Sequence, residues 1–67
     1  MRDANRLDKY YDEIKKLHKK YCPDWRLGQL LMNFYRWLPK DPYYFEEERF
    51  LDLVYEYFAD TFPNFNE

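Results

Sequence analysis

The sequence predicts an all-α fold, a compact three-helix bundle. Three segments carry apolar residues at helical spacing, and prolines at Pro23, Pro39 and Pro42 separate them. A chain of 67 residues has room for one domain, which we place at residues 1–62 with a short C-terminal tail at 63–67. Aromatic residues make up 24% of the chain, so there is enough apolar surface to bury, which excludes a disordered protein.

The first helix is predicted at about 5–21, with Asp3 as its N-cap. Its apolar residues recur three and four positions apart, as one buried helix face requires. Acidic residues precede lysines along the opposite face, an order that complements the helix dipole. The predicted buried face comprises Leu7, Tyr10, Tyr11, Ile14, Leu17, His18 and Tyr21.

The second helix is predicted at about 25–38, after Pro23 ends the first helix and with Asp24 as N-cap. Gly28 lies inside it, where glycine costs ~1 kcal/mol relative to alanine. We therefore expect Gly28 to allow another helix to approach closely. The predicted core stripe consists of Leu27, Leu30, Leu31, Phe34 and Leu38.

A second stripe on this helix predicts contact with a partner. Trp25, Gln29, Met32 and Arg36 fall within about a sixth of the helix circumference. Trp, Met and Arg are enriched in protein interfaces. The alternative is that Trp25, in the first turn, folds back over the junction between the helices.

The third helix is predicted at about 46–61, after a proline-bounded turn that begins at Asp41. Glutamates 46–48 lie in its first turn, where the helix dipole favours negative charge. Further apolar residues widen its buried arc to more than half the circumference, more than a helix packed against two neighbours needs. The predicted core stripe is Phe50, Leu51, Val54, Tyr57 and Phe58, and the residues that widen it are Leu53, Tyr55 and Phe62.

The residue inventory argues against an enzyme. The chain has no serine, one histidine, one cysteine and one glycine, which excludes a serine triad, a two-histidine zinc helix and a glycine-rich phosphate loop. His18 and Cys22 are four residues apart, but no residue is placed to orient them as a catalytic dyad. We predict no catalytic residue, no metal ligand and no cofactor.

The second helix also carries a family resemblance. Pro23-Asp24-x-Arg26-Leu27-Gly28-Gln29-Leu30-Leu31-x-Asn33 resembles the signature of short, uncharacterised bacterial and phage-borne helical proteins. Arg2, Asp3, Asn5 and Arg6 match the start of that family, and Asp41-Pro42-Tyr43-Tyr44 matches its turn; Ala4 departs from it. The resemblance implies a bacterial or mobile-element protein with a compact helical fold, and it transfers no catalytic residue.

These observations predict a non-enzymatic protein–protein interaction module whose partner is another protein or a second copy of the chain. Tyrosine and tryptophan suit such a surface because they bury much area while ordering few rotamers. A small phage or mobile-element inhibitor or modulator of a host complex fits this class, since it needs no catalytic chemistry. The predicted partner-binding residues are Trp25, Gln29, Met32, Arg36, Tyr43, Tyr44, Leu53, Tyr55 and Phe62.

Two alternatives follow from the charge distribution. Residues 1–40 carry a net charge of +5 and residues 41–67 a net charge of −7, which sum to −2. The basic half could bind nucleic acid in the manner of a helix-turn-helix variant, through Lys15, Lys16, Lys19, Lys20 and Arg26. The acidic third helix could instead mimic nucleic acid, although its acids are expected to spread around the helix. Repulsion between that helix and phosphate makes nucleic acid the weaker prediction.

No membrane contact is predicted, because the longest stretch without a charge, residues 27–35, is far shorter than the ~20 apolar residues of a membrane span. The start of the sequence has no apolar run of the signal-peptide kind, so a cytoplasmic location is expected.

Overall fold

Three helices form the protein in the computed structural model, which describes residues 2–65. Helix α1 spans Arg6–Tyr21, α2 spans Leu27–Trp37 and α3 spans Glu47–Thr61. Within the described residues there is no strand, so the predicted all-α three-helix bundle is confirmed. None of these helices has the length and apolar character needed to cross a membrane.

The starts of α1 and α2 are organised differently from the prediction. Asn5, not Asp3, is the N-cap of α1, and Asp3 Oδ1 instead accepts the Asn5 backbone N–H at 3.0 Å. Asp24 does not cap α2, because it belongs to a turn closed by the Trp25 N–H on the Cys22 carbonyl at 3.0 Å. Arg26 is the N-cap of α2, and its N–H donates to Gln29 Oε1 at 2.7 Å.

The turn before α3 forms as predicted. Asp41 Oδ1 accepts the backbone N–H of Tyr43 at 3.0 Å, and the carbonyl of Pro42 accepts that of Phe45 at 3.0 Å. Glu46 is then the N-cap of α3, and the next two glutamates occupy the first turn. Negative charge here lies at the favourable end of the helix dipole.

Helix α3 is the central helix of the bundle. It packs against both α1 and α2, whereas α1 and α2 contact each other less. Its buried arc is therefore wide, because it faces two neighbours on different sides. The core cluster consists of Leu17, Cys22, Leu30, Phe34, Leu38, Leu53, Val54, Tyr57 and Phe58.

The central position of α3 corrects one predicted partner contact. Leu53 is only 5% exposed and belongs to the core cluster, so it is not available to a partner in this fold. Leu53 is one of the residues that widen the apolar arc of α3, and it is covered by the other parts of this chain.

Aromatic rings close the end of the bundle where α3 finishes. Tyr21 lies against Phe58, Phe62 and Phe65, with ring centroids 5.3–5.8 Å apart. Its hydroxyl donates to the carbonyl of Phe65 at 3.2 Å. The start of the predicted tail thus folds back on α1, while residues 66–67 lie outside the described part of the chain.

Candidate protein-binding surface

An apolar groove lies between α1 and α2, on the side of the bundle where these two helices separate. Its volume is about 480 Å³. We call it the α1–α2 groove; its lining residues are Leu7, Tyr10, Tyr11, Ile14, Leu27, Leu31, Tyr35, Phe45, Glu47 and Phe50. Nine of these ten residues have apolar or aromatic side chains, so the groove is a place where burial by a ligand would be favourable.

The sequence produces this groove through the spacing of apolar residues on both helices. Leu7, Tyr11 and Ile14 recur on one side of α1, and Leu27, Leu31 and Tyr35 recur four positions apart on α2. Each helix turns a second face towards α3. Each apolar stripe is therefore wider than α3 alone can cover, and the uncovered parts face each other across the groove.

Three side chains of the groove are largely exposed. Tyr11 is 67% exposed, Leu27 61% and Tyr35 43%. Tyr11 and Leu27 were predicted to be core residues, and that prediction is wrong at both positions. The spacing placed them on an apolar face correctly, but no other part of the described chain packs over them.

A second cavity extends the groove towards the turn before α3. Its volume is about 670 Å³, and its lining residues are Tyr35, Leu38, Lys40, Asp41, Pro42, Tyr43 and Phe50. Tyr35 and Phe50 line both cavities, so the two cavities adjoin at these side chains. Tyr43, which the sequence predicts as a partner-binding residue, is exposed at its far end.

An ion pair stands at the α3 end of the α1–α2 groove. The Arg6 guanidinium donates to Glu47 Oε1 from Nη2 at 2.8 Å and from Nε at 3.2 Å. This hydrogen bonding lowers the pKa of the Glu47 carboxyl. A second pair, Arg2 with Glu46 at 2.6 Å, lies in a more exposed position. Together these pairs hold the start of α1 against the start of α3.

The predicted stripe on α2 divides into two parts. Trp25 is half-buried against the core, and its ring lies 5.7 Å from that of Phe62, another predicted partner residue. The alternative in which Trp25 folds over the helix junction therefore describes its position. Gln29, Met32 and Arg36 are exposed. Only these three of the four side chains remain accessible on that side of α2.

The remaining predicted contacts also differ in accessibility. Tyr44 is 89% exposed, and its ring packs against that of Tyr43 at 4.8 Å. Tyr55 is half-buried, and its hydroxyl donates to Glu13 of α1. Phe62 packs against the core cluster. Tyr55 and Phe62 thus make internal contacts that sequence spacing alone does not reveal.

Gly28 does not have the predicted role of allowing a helix to approach. It is exposed, and a Cβ atom added to it would meet nothing within 4 Å. The surface beside Gly28 is open, and it adjoins Leu27 at the edge of the α1–α2 groove.

The predicted basic patch is exposed, and part of its charge is already paired within α1. Lys16 Nζ lies 3.2 Å from Glu13 Oε1, and Lys15 Nζ lies 4.0 Å from Asp12 Oδ1. Each of these two lysines thus lies near an acid three positions earlier on α1. The patch consists of Lys15, Lys16, Lys19, Lys20 and Arg26.

Four acidic residues of α3 are neighbours on its exposed side. Glu48, Asp52, Glu56 and Asp60 recur every four residues and are all exposed, so they form one row. Asp60 also accepts a hydrogen bond from Trp37 Nε1 at 3.1 Å. A row of this kind is typical of a solvated helix face.

His18 and Cys22 are both occupied by structural contacts. His18 Nε2 lies 2.8 Å from the Trp25 carbonyl oxygen, which can only accept, so this nitrogen carries the proton. Cys22 is buried, and burial raises the pKa of its thiol. A nucleophilic cysteine needs a lowered pKa. Within residues 2–65, no group of three or more His, Cys, Asp or Glu side chains is arranged to hold a metal ion.

Comparison with protein-family models, curated proteins and solved structures finds no match for this chain.

Proposed function

We propose that this protein is a non-enzymatic protein-binding module and that the α1–α2 groove is its binding surface. The observation that carries the proposal is the exposure of Tyr11, Leu27 and Tyr35 around one concave apolar surface. Large contiguous apolar patches are uncommon on monomeric proteins and mark sites of interaction.

The chemistry of the groove suits a protein partner. Tyr11 and Tyr35 offer large, rigid contact area with a hydroxyl that can remain hydrated. Met32, which follows Leu31 on α2, is an exposed and adaptable apolar side chain outside the groove lining. Apolar centres with polar edges are the usual anatomy of protein interfaces.

The non-enzymatic part of the proposal is supported by the state of Cys22. Its thiol is buried with a raised pKa, which opposes thiolate formation. A module without catalytic chemistry can still act as an inhibitor or modulator, because covering a surface of a host complex is sufficient for that role.

The two charge-based alternatives have weaker support. Lys16 of the basic patch already has a carboxylate neighbour on α1, since its Nζ lies 3.2 Å from Glu13 Oε1. On the acidic side, Glu46 and Glu47 are paired with arginines, which lowers the charge available for mimicry of nucleic acid.

Site-specific photocrosslinking tests the proposal. A photoreactive phenylalanine analogue replaces Tyr11 or Tyr35 in the full chain, and the protein is irradiated in its native cells. A control carries the analogue at Ala59, an exposed position of α3 that lines neither cavity. We expect protein conjugates from Tyr11 and Tyr35 and few from Ala59. Equal yields from all three positions, or none from the groove, would contradict the proposal.

A further inference from the structure

We propose that the partner in the α1–α2 groove is a second copy of this chain, with α1 of one copy antiparallel to α1 of the other. This inference rests on the proposed function, since it names the partner of the same surface. Its first support is the architecture. Helix α3 covers one side of the α1 and α2 pair, and the opposite side, around Tyr11 and Leu27, stays apolar and exposed.

A two-fold symmetric dimer requires a surface that is complementary to itself. The groove satisfies this requirement in shape, because Tyr11 projects at its edge while the space between α1 and α2 is hollow. In a two-fold arrangement, Tyr11 of each copy enters the groove of the other. Both exposed tyrosines are then buried by the same contact.

The charges beside Tyr11 support the antiparallel direction. Asp8 and Lys15 are exposed and lie on the same edge of α1, seven residues and roughly 10.5 Å apart, with Tyr11 between them. A two-fold axis near Tyr11 brings Asp8 of each copy opposite Lys15 of the other. A parallel arrangement would instead place like charges opposite one another.

Neither charge is strongly engaged within the chain. Among residues 2–65, Asp8 forms no ion pair, and Lys15 has one exposed contact, to Asp12 at 4.0 Å. The helix dipole accounts for acids preceding lysines along α1. It does not account for an exposed tyrosine placed between them.

The dimensions of α1 are compatible with a second copy as the occupant. Helix α1 has 16 residues and is about 24 Å long, so two antiparallel copies can contact each other over several turns. A stable dimer buries about 800 Å² on each copy, which is roughly one seventh of the 5428 Å² surface of this chain. We therefore expect the contact to extend from α1 onto α2.

The experiment uses the full chain, with solution mass measured by light scattering and sedimentation over a hundredfold concentration range. We expect a concentration-dependent dimer. Tyr11→Glu should abolish it, while the control Ala59→Glu, at an exposed position of α3 outside the groove, should leave it intact. Circular dichroism should show that both variants keep the helical fold, because both side chains are exposed.

A charge swap tests the direction of the helices. Asp8→Lys alone and Lys15→Asp alone each place two like-charge contacts in the dimer, so each should weaken self-association by about tenfold. Mixing the two variants restores opposite charges at both contacts, so the mixture should form heterodimers at close to the wild-type affinity.

A wild-type chain that stays monomeric over the whole range would overturn the inference, as would single variants that dimerise normally with no preference for each other. The photocrosslinking result tests the proposed function independently of the dimer. If the Tyr11 photocrosslink joins a different protein, the module remains and only the second copy is wrong. If no conjugate forms at the groove, both fail.

Discussion

The hydroxyl of Tyr55 donates a 2.5 Å hydrogen bond to Oε2 of Glu13, and this contact joins α3 to α1. This hydrogen bond lowers the pKa of the Glu13 carboxyl, and the neighbouring Lys16 lowers it further. The same bond raises the pKa of Tyr55 to about 12. Tyr55 looks like a surface residue in the sequence, yet here its polar end serves an internal bond.

The Tyr55–Glu13 bond predicts how the stability of the fold depends on pH. The pKa of Glu13 is lower in the folded state, so its contribution is present above its unfolded pKa and is lost as pH falls through the folded value. The pKa of Tyr55 is raised, so its contribution is present below about pH 10 and is lost as pH rises through about 12. Tyr55→Phe should weaken both dependences and lower Tm by a few degrees.

Urea unfolding of the wild-type protein and of Tyr55→Phe across the pH range measures this effect. Tyr44→Phe is the matched control, because that hydroxyl is at an exposed position and the same atom is removed. An unchanged acid dependence in Tyr55→Phe would show that the bond does not hold in solution.

Phe34 and Met32 lie on the same helix, but truncating them to alanine should change folding stability by very different amounts. Phe34 is buried, with its ring 5.3 Å from that of Phe50 and 5.6 Å from that of Tyr57. Phe34→Ala should cost ~3–5 kcal/mol, enough to unfold most of a domain this small. Met32→Ala removes an exposed side chain, so it should change stability by no more than ~0.5 kcal/mol. Thermal unfolding followed by circular dichroism separates these outcomes.

Trp25 and Arg36 belong to the same predicted stripe, but replacing each with alanine should affect folding stability differently. The Trp25 ring packs against Phe62 and the core, so Trp25→Ala should cost about 2 kcal/mol of folding stability. Arg36→Ala, from the same stripe, changes an exposed side chain and should be nearly neutral. Denaturant midpoints of the two variants are the measurement. Equal midpoints would mean that Trp25 contributes little to the helix junction.

Helical spacing was sufficient to predict the three helices and most of their buried faces, including Leu30, Phe34, Val54 and Phe58. Spacing specifies which residues share a face but not which helix covers that face. The errors follow from this. Leu53 is buried because α3 lies between two helices, and Tyr11 and Leu27 are exposed because α1 and α2 separate.

The candidate site was partly predictable for the same reason. Met32, Tyr43 and Tyr44 are exposed, as the sequence suggested, because they lie outside every buried stripe. The α1–α2 groove was missed, because it arises from the relative positions of two helices. An apolar stripe wider than one neighbour can cover is present on both helices, but its spacing alone does not distinguish an open groove from a core.

Gly28→Ala distinguishes a glycine kept for folding from one kept for binding. Gly28 lies in the first turn of α2, its φ is not positive, and an added Cβ meets no atom within 4 Å. Alanine restricts the unfolded chain, so it should stabilise the fold by ~0.5–1 kcal/mol and raise Tm by a few degrees. Gln29→Ala is the control of opposite sign, because it removes the bond to the Arg26 N–H and should cost ~1 kcal/mol.

A Gly28→Ala variant that melts higher but self-associates more weakly would mean that the glycine keeps the edge of the groove open for its partner. A lower Tm would show instead that the backbone at Gly28 needs a conformation that alanine does not share.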